Sequence, residues 1–566
     1  MNKRTSLVTA LIIIGLALPL LGQAAKETVS GPLGQRIDRY LNKGVANGYA
    51  GSVLVAVKGE VVLSKGYGQA DKLSQVAETA NTVFDIGSVT KQFTAAGILK
   101  LEMQGKLAVQ DPITKYLPNV PEDKKAITLD QLLTHTAGFP DVLGDDYALI
   151  KRDDFVKLAL SKPLPSKPGE KYSYSNVGYS LLGIIIELVS KQGYEAYLYE
   201  NIFRPAGMER TGYLRPRFAK ADLAVGYAGV ERWGTPLDKP WLADGPGWHL
   251  RANGGLLSTV GDLYRWVQAL RTDAVLSPAA IKKFLSAHVQ EKPQETFYGY
   301  GWVVEKTVRG TSFIWHNGGN GITNAFLGFE PKEGLVVVVS SNTAKKVSDV
   351  YARRIESLAN GEVPELGEET VSGWTGNYYL ESGASIGVRF DENDSLVATF
   401  DSAELLPWLF ASGTEKPEET APYDKRVKDI VAGSLAGNYA ALAQAWGEPL
   451  AQVAQRAPAF WGALEKNGGS VLDQQVFGTV NRGRAFMTVA RLTFRKGKLF
   501  LTFIWSGPRL LQLRDSTTLE RVFRARTTTE FEAQDTDKTA TFEKDKLGRW
   551  VLVIKSATGE LRAFKA

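Results

Sequence analysis

The stretch Phe84-Asp85-Ile86-Gly87-Ser88-Val89-Thr90-Lys91-Gln92-Phe93 decides how this chain is read. From Thr90 onward, Phe93, Ala96, Leu99 and Met103 recur at helical spacing and Gly105 offers a stop, which predicts a helix starting beside Ser88. Positions three apart share a helix face, so the Ser88 hydroxyl and the Lys91 amine project side by side. A serine attacks a carbonyl only when a base takes its proton, and a lysine whose pKa falls on burial can be that base. The free N–H groups at a helix start favour negative charge developing there. Taken alone, the spacing fits a capping serine and a solvated lysine as well, so partners elsewhere in the chain must decide.

Two further stretches supply candidates. Tyr174-Ser175-Asn176 lies between Pro168-Gly169 and an apolar helix predicted from Val177. Ser175 or Asn176 can cap that helix. A tyrosine beside a lysine ammonium is pushed toward the phenolate, which makes Tyr174 a candidate general base, and Asn176 can orient a substrate amide. Trp315-His316-Asn317-Gly318-Gly319-Asn320-Gly321 precedes a predicted strand at residues 325–329. Its glycines allow close approach of backbone, and a strand edge there can donate an N–H to an oxyanion. His316 is placed to meet a substrate carboxylate as a cationic or hydrogen-bonding group. Each stretch alone also fits an ordinary loop.

In this order the three elements resemble the serine β-lactamase and penicillin-binding protein superfamily, in the class C β-lactamase-like branch with D-alanyl-D-alanine carboxypeptidase, D-aminopeptidase and esterase relatives. The stretches Thr128-Leu129-Asp130-Gln131-Leu132-Leu133-Thr134-His135-Thr136-Ala137-Gly138, Phe203-Arg204-Pro205-Ala206-Gly207-Met208 and Gly254-Gly255-Leu256-Leu257-Ser258-Thr259 extend the resemblance over roughly residues 30–360. It implies Ser88 as the acylated nucleophile, Lys91 as its proton partner, Tyr174 as general base and acid, and Asn176 as the substrate-orienting amide. His316-Asn317-Gly318 stands where class C enzymes carry Lys-Thr-Gly, and the oxyanion hole would be the N–H groups of Ser88 and Gly319. Histidine in place of lysine removes a permanent cation, which puts β-lactam specificity in question but not catalysis.

Residues 7–21 are apolar behind Lys3 and Arg4, and Gly22-Gln23-Ala24-Ala25 offers a cleavage point, so residues 1–25 read as a signal peptide. The implied location is periplasmic or secreted, with an uncleaved membrane anchor as the alternative. The chain has no cysteine, which removes disulfides, thiolate catalysis and cysteine-bound zinc. The four histidines have no metal spacing, so no metal or other cofactor is expected. A formal charge of +6 over 566 residues without a long basic block argues against nucleic acid as a partner, leaving a small-molecule or peptide substrate. Gly383-Ala384-Ser385-Ile386-Gly387 fits a nucleophile-elbow pattern, but every histidine precedes it, so it reads as strand.

Residues 26–362 read as one α/β (α+β) β-lactamase-like domain with an antiparallel sheet flanked by helices, plus a helical cluster. Residues 363–425 read as a small β-rich segment ending in a Glu/Pro/Thr-rich linker at 414–422. Residues 426–566 read as a helix-then-β domain, a curled sheet or barrel. The expected function is an exported serine hydrolase acting through an acyl-enzyme on a D-residue peptide, an amide or a small ester. The alternatives are a true β-lactamase and an envelope binding module that works through its C-terminal β region. The sequence does not set the oligomeric state.

Overall fold

The computed structural model describes residues 27–566 apart from 229–230, 308, 333, 344–346, 363–365, 392–393, 412–416, 483–484, 534–535 and 557–558. The predicted signal peptide lies outside the described residues. The chain divides into two compact units, residues 1–359 and 360–566.

The first unit is built on a nine-stranded antiparallel sheet. Inside it runs Val336–Ser341, buried along its whole length and flanked by Gly51–Val57 and by the middle strand Asn324–Phe329. Continuous β-branched runs of this kind suit a strand covered on both faces. Asn324–Phe329 pairs with Ser312–Gly319, so the second glycine-rich stretch forms the end of a strand. The helix Lys91–Met103 is buried almost all round, as expected of a helix through the middle of a domain. Gly97 allows it close to Ile186, on the neighbouring helix Asn176–Ser190, and to Leu198: a Cβ there would stand 2.9 and 3.2 Å from their side chains. Gly105 takes the left-handed conformation (φ 67°) just past the helix end.

The second unit contains a closed eight-stranded barrel. Three strands precede residue 401 and five follow residue 518, closing through Gly376–Tyr379 against Gly559–Lys565. Between the two sets run the helices Pro417–Leu435, Ala440–Trp446 and Leu450–Gly468 and a four-stranded sheet over residues 471–516. The expected boundary at 425/426 therefore does not separate two domains, because strands from both sides of it complete one barrel. The expected linker differs as well, since residues 417–422 are helical. Tyr423, Val427, Ile430 and Val431 bury one face of that helix, and this packing outweighs the N–H that Pro422 lacks. Ser385 lies on the strand Ser385–Phe390, not on an elbow.

Candidate active site

Ser88 sits on the single 3₁₀ turn Gly87–Thr90 that leads into the helix Lys91–Met103. Asp85 fixes this turn: one carboxylate oxygen accepts from the Gly87 N–H at 2.8 Å and the other from Asn320 Nδ2 at 3.0 Å. Burial raises the Asp85 pKa to about 6 against these bonds. The strand end presses on the same turn. A Cβ on Gly318 would stand 2.1 Å from Ile86 O and 2.5 Å from Ser88 N, and one on Gly87 would stand 2.1 Å from Gly319 N. Only glycine at these places lets the Ser88 and Gly319 amides come together.

Lys91 is fully buried. Its Nζ lies 3.1 Å from Ser88 Oγ, 2.6 Å from Asn176 Oδ1 and 2.7 Å from the Asn253 carbonyl. Burial brings its pKa down to about 7, while Asp141 and Asp146 pull the other way. The two carbonyl oxygens can only accept. A neutral Lys91 amine therefore gives its two protons to them and turns its lone pair to the Ser88 hydroxyl.

Tyr174 differs from the phenolate expected beside a lysine. Burial raises its pKa, only partly opposed by its hydrogen bond with Ser88. Lys91 Nζ stands 4.9 Å from the ring centroid, but a lysine that titrates near neutrality is a weak counterion. Dielectric, not proximity, decides which of the two ionises.

His316 is likewise not a cation. It is 3 % exposed, and burial followed by the Lys91 charge lowers its pKa to about 3. Its Nδ1 faces the Asn317 carbonyl at 2.5 Å and so carries the proton, leaving Nε2 to accept from the Tyr298 hydroxyl at 3.0 Å. Asn176 is committed within the site: Oδ1 accepts from Lys91 and Nδ2 donates to Asp141 Oδ1 at 2.8 Å. Asn317 donates to Asp349 at 2.6 Å. Ser175 caps the helix Asn176–Ser190, accepting from the Gly178 N–H.

Ser88, Tyr174, His316, Asn317, Gly318 and Gly319 line one cleft of about 640 Å³, with Lys91 and Asn176 behind it. The cleft and the residues packed behind it include several to which the sequence pattern assigns no role. Tyr172 and Thr296 donate to the two oxygens of Glu291, at 2.7 Å each. His135, in the left-handed conformation (φ 57°), accepts from the Ser175 N–H and packs its ring against Tyr174, 4.3 Å between centroids and tilted by 36°. Ala252, with φ 72°, strains the loop that aims the Asn253 carbonyl at Lys91. Asn253 is followed directly by the quoted Gly254-Gly255 stretch, the one sequence signal that could have flagged it. Among the described residues no three side chains form a metal-ligating group.

A model of the family described as Beta-lactamase matches residues 35–360. The chain belongs to the Beta-lactamase family. Protein flp of Staphylococcus aureus (strain COL) is 29 % identical over 360 residues, 61 % of this chain and 69 % of that protein. Penicillin-binding protein 4* of Bacillus subtilis (strain 168) is 27 % identical over 62 % of this chain and 83 % of its own length. In fold, the chain is similar to the octameric penicillin-binding protein homologue from Pyrococcus abyssi (TM-score 0.53, 20 % identity, 94 % of this chain and 100 % of that one). It is also similar in fold to the D-amino acid amidase from Ochrobactrum anthropi SV3 in complex with L-phenylalanine (TM-score 0.51, 23 % identity, 58 % and 99 %). This family member is a serine hydrolase of the β-lactamase and penicillin-binding type.

Proposed function

We propose that this hydrolase is exported and cleaves a D-residue peptide, an amide or a small ester through an acyl-enzyme on Ser88. The observation that carries the reading is the buried Lys91 amine 3.1 Å from Ser88 Oγ, with carbonyl acceptors committing its protons. As Ser88 Oγ bonds to the substrate carbonyl carbon, its proton passes to Lys91 and the carbonyl π pair moves to oxygen, where the Ser88 and Gly319 N–H groups meet it. The neutral Tyr174 hydroxyl protonates the departing amine or alkoxide, and the Lys91 ammonium restores the phenol. Water then retraces these steps to release the acid. This reading moves the base role from Tyr174 to Lys91 and keeps the tyrosine as acid.

Cleft electrostatics support the substrate class. Arg353 is the only lysine or arginine lining it among the described residues, and Glu305 and Glu356 hold its guanidinium. With His316 neutral, a substrate carboxylate meets no uncommitted cation, whereas an uncharged or amine-bearing substrate meets Glu291 without penalty. This argues against turnover of β-lactams and of peptides cut beside a free C-terminal carboxylate, and favours amides, esters and peptides cut near an amino end. The test is labelling by a fluorophosphonate together with turnover of D-amino amides, p-nitrophenyl esters and nitrocefin. Wild type labels and cleaves amides or esters, and Ser88→Ala does neither. Labelling that survives Ser88→Ala overturns the nucleophile, and nitrocefin turnover outpacing amides and esters overturns the substrate class. The envelope location rests on residues 1–25, and retention in the cytoplasm of a chain carrying them would overturn it.

A further inference from the structure

Asp141 belongs to none of the motifs, yet it wraps the start of the helix Asn176–Ser190. Its carbonyl accepts from the Asn176 N–H at 3.0 Å and the Val177 N–H at 3.3 Å. Its carboxylate Oδ1 accepts from Asn176 Nδ2 at 2.8 Å. A side-chain amide can be seated in two ways, with its nitrogen and oxygen exchanged. A carboxylate can only accept from it, so Asp141 admits the seating that turns Nδ2 to itself and Oδ1 to Lys91. The reverse seating would set two acceptors against each other at Asp141 and offer Lys91 a donor.

We propose that Asp141 is a positioning residue for acylation: it seats the Asn176 amide so that the lone pair of neutral Lys91 faces Ser88, and its carboxylate balances the charge when the serine proton arrives. The proposal rests on the roles of Ser88 and Lys91 given above. Burial acts most strongly against the ammonium form of Lys91, and Asp141, then Asp146, act for it. The other groups facing Lys91 are Tyr174 and Tyr179, with ring centroids 4.9 and 5.6 Å from Nζ, and His135 and His316, both kept neutral by burial and by Lys91 itself. Asp141 is exposed to solvent, so its field at Lys91 is partly screened.

Removing an anion that favours the ammonium lowers the Lys91 pKa. The acid limb of Ser88 labelling, expected in the wild type where Lys91 loses its proton, therefore moves to lower pH. Asp141→Asn keeps a carbonyl for Asn176 Nδ2. It is expected to shift the limb by about half a pH unit to the acid side while holding the plateau rate within about threefold. Asp141→Ala also frees the amide and is expected to lose about tenfold to a hundredfold from the plateau. Glu122→Gln removes an exposed anion that neither lines the cleft nor acts on Lys91, and leaves limb and plateau unchanged. Circular dichroism confirms folding, and Asp141→Asn decides by itself should Asp141→Ala not fold. The proposal is overturned by an Asp141→Asn limb that coincides with wild type, by an undiminished Asp141→Ala plateau, or by Glu122→Gln shifting the limb equally. Labelling that persists in Ser88→Ala overturns the underlying roles as well.

Discussion

Replacing Gly318 by alanine tests the point where two backbone elements come closest. The added Cβ would lie 2.1 Å from Ile86 O and 2.5 Å from Ser88 N, where ordinary contact begins at 3.4 Å. Both atoms are backbone, so no side chain can swing aside, and strand and turn must part by roughly 1 Å. The cost of such overpacking is about 1–3 kcal/mol of stability. The functional cost is larger, because oxyanion donors act only within a few tenths of an ångström of their place. Losing one costs about a hundredfold to a thousandfold in kcat. The assay is the rate of fluorophosphonate labelling and kcat on a p-nitrophenyl ester, with urea unfolding to show that the variant is folded at the assay temperature. Gly261→Ala, on the helix Val260–Ala269, serves as comparator: its Cβ meets nothing nearer than Thr259 Oγ1 at 3.8 Å, and alanine there keeps activity and adds up to about 1 kcal/mol. A folded Gly318→Ala enzyme that labels within about threefold of wild type would refute the placement of the oxyanion hole.

Lys91 has a folded-state pKa lowered to about 7 from 10.5, so between these values the unfolded chain binds more protons and stability rises with pH, while below pH 7 the burial penalty is felt in full. The stability of wild type relative to Lys91→Met should therefore rise by a few kcal/mol from pH 7 to pH 10 in urea unfolding, and a pH-independent difference contradicts a neutral lysine. His316 should remain neutral across pH 5–9, so an imidazole ¹⁵N titration assigned through His316→Gln with a midpoint above 5 overturns its role as a neutral ring. In the second unit Trp374 is buried and stacked on Phe542 at 4.5 Å, so Trp374→Ala should cost about 3–5 kcal/mol of that unit's stability, and a loss below 1 kcal/mol would refute the barrel core.

Much of the first unit was legible because its signals are local. Apolar spacing marks the helices at Lys91–Met103 and Asn176–Ser190, and the apolar run at 325–329 marks a strand of the sheet. In the second unit the barrel closes between strands some 180 residues apart in sequence, and no local period encodes that pairing. The Glu/Pro/Thr composition at 414–422 was read as linker because composition does not reveal which face of a segment will be covered. Asp141, Asn253, His135 and Glu291 have no role legible in the sequence for the same reason. Each is an ordinary loop or hairpin residue until the fold sets it against Lys91, Tyr174 or the cleft.

The sequence by itself determined which groups meet: a serine and a lysine three apart, a tyrosine at a helix mouth, and glycines where backbone must approach backbone. Only the tertiary structure decided their protonation. Lys91, Tyr174 and His316 are all driven to the neutral form by desolvation, and desolvation comes from everything packed around a group, not from its neighbours in the chain. That is why a sequence pattern that points to a phenolate and a cation folds into a site with a neutral phenol, a neutral imidazole and a lysine poised to accept a proton.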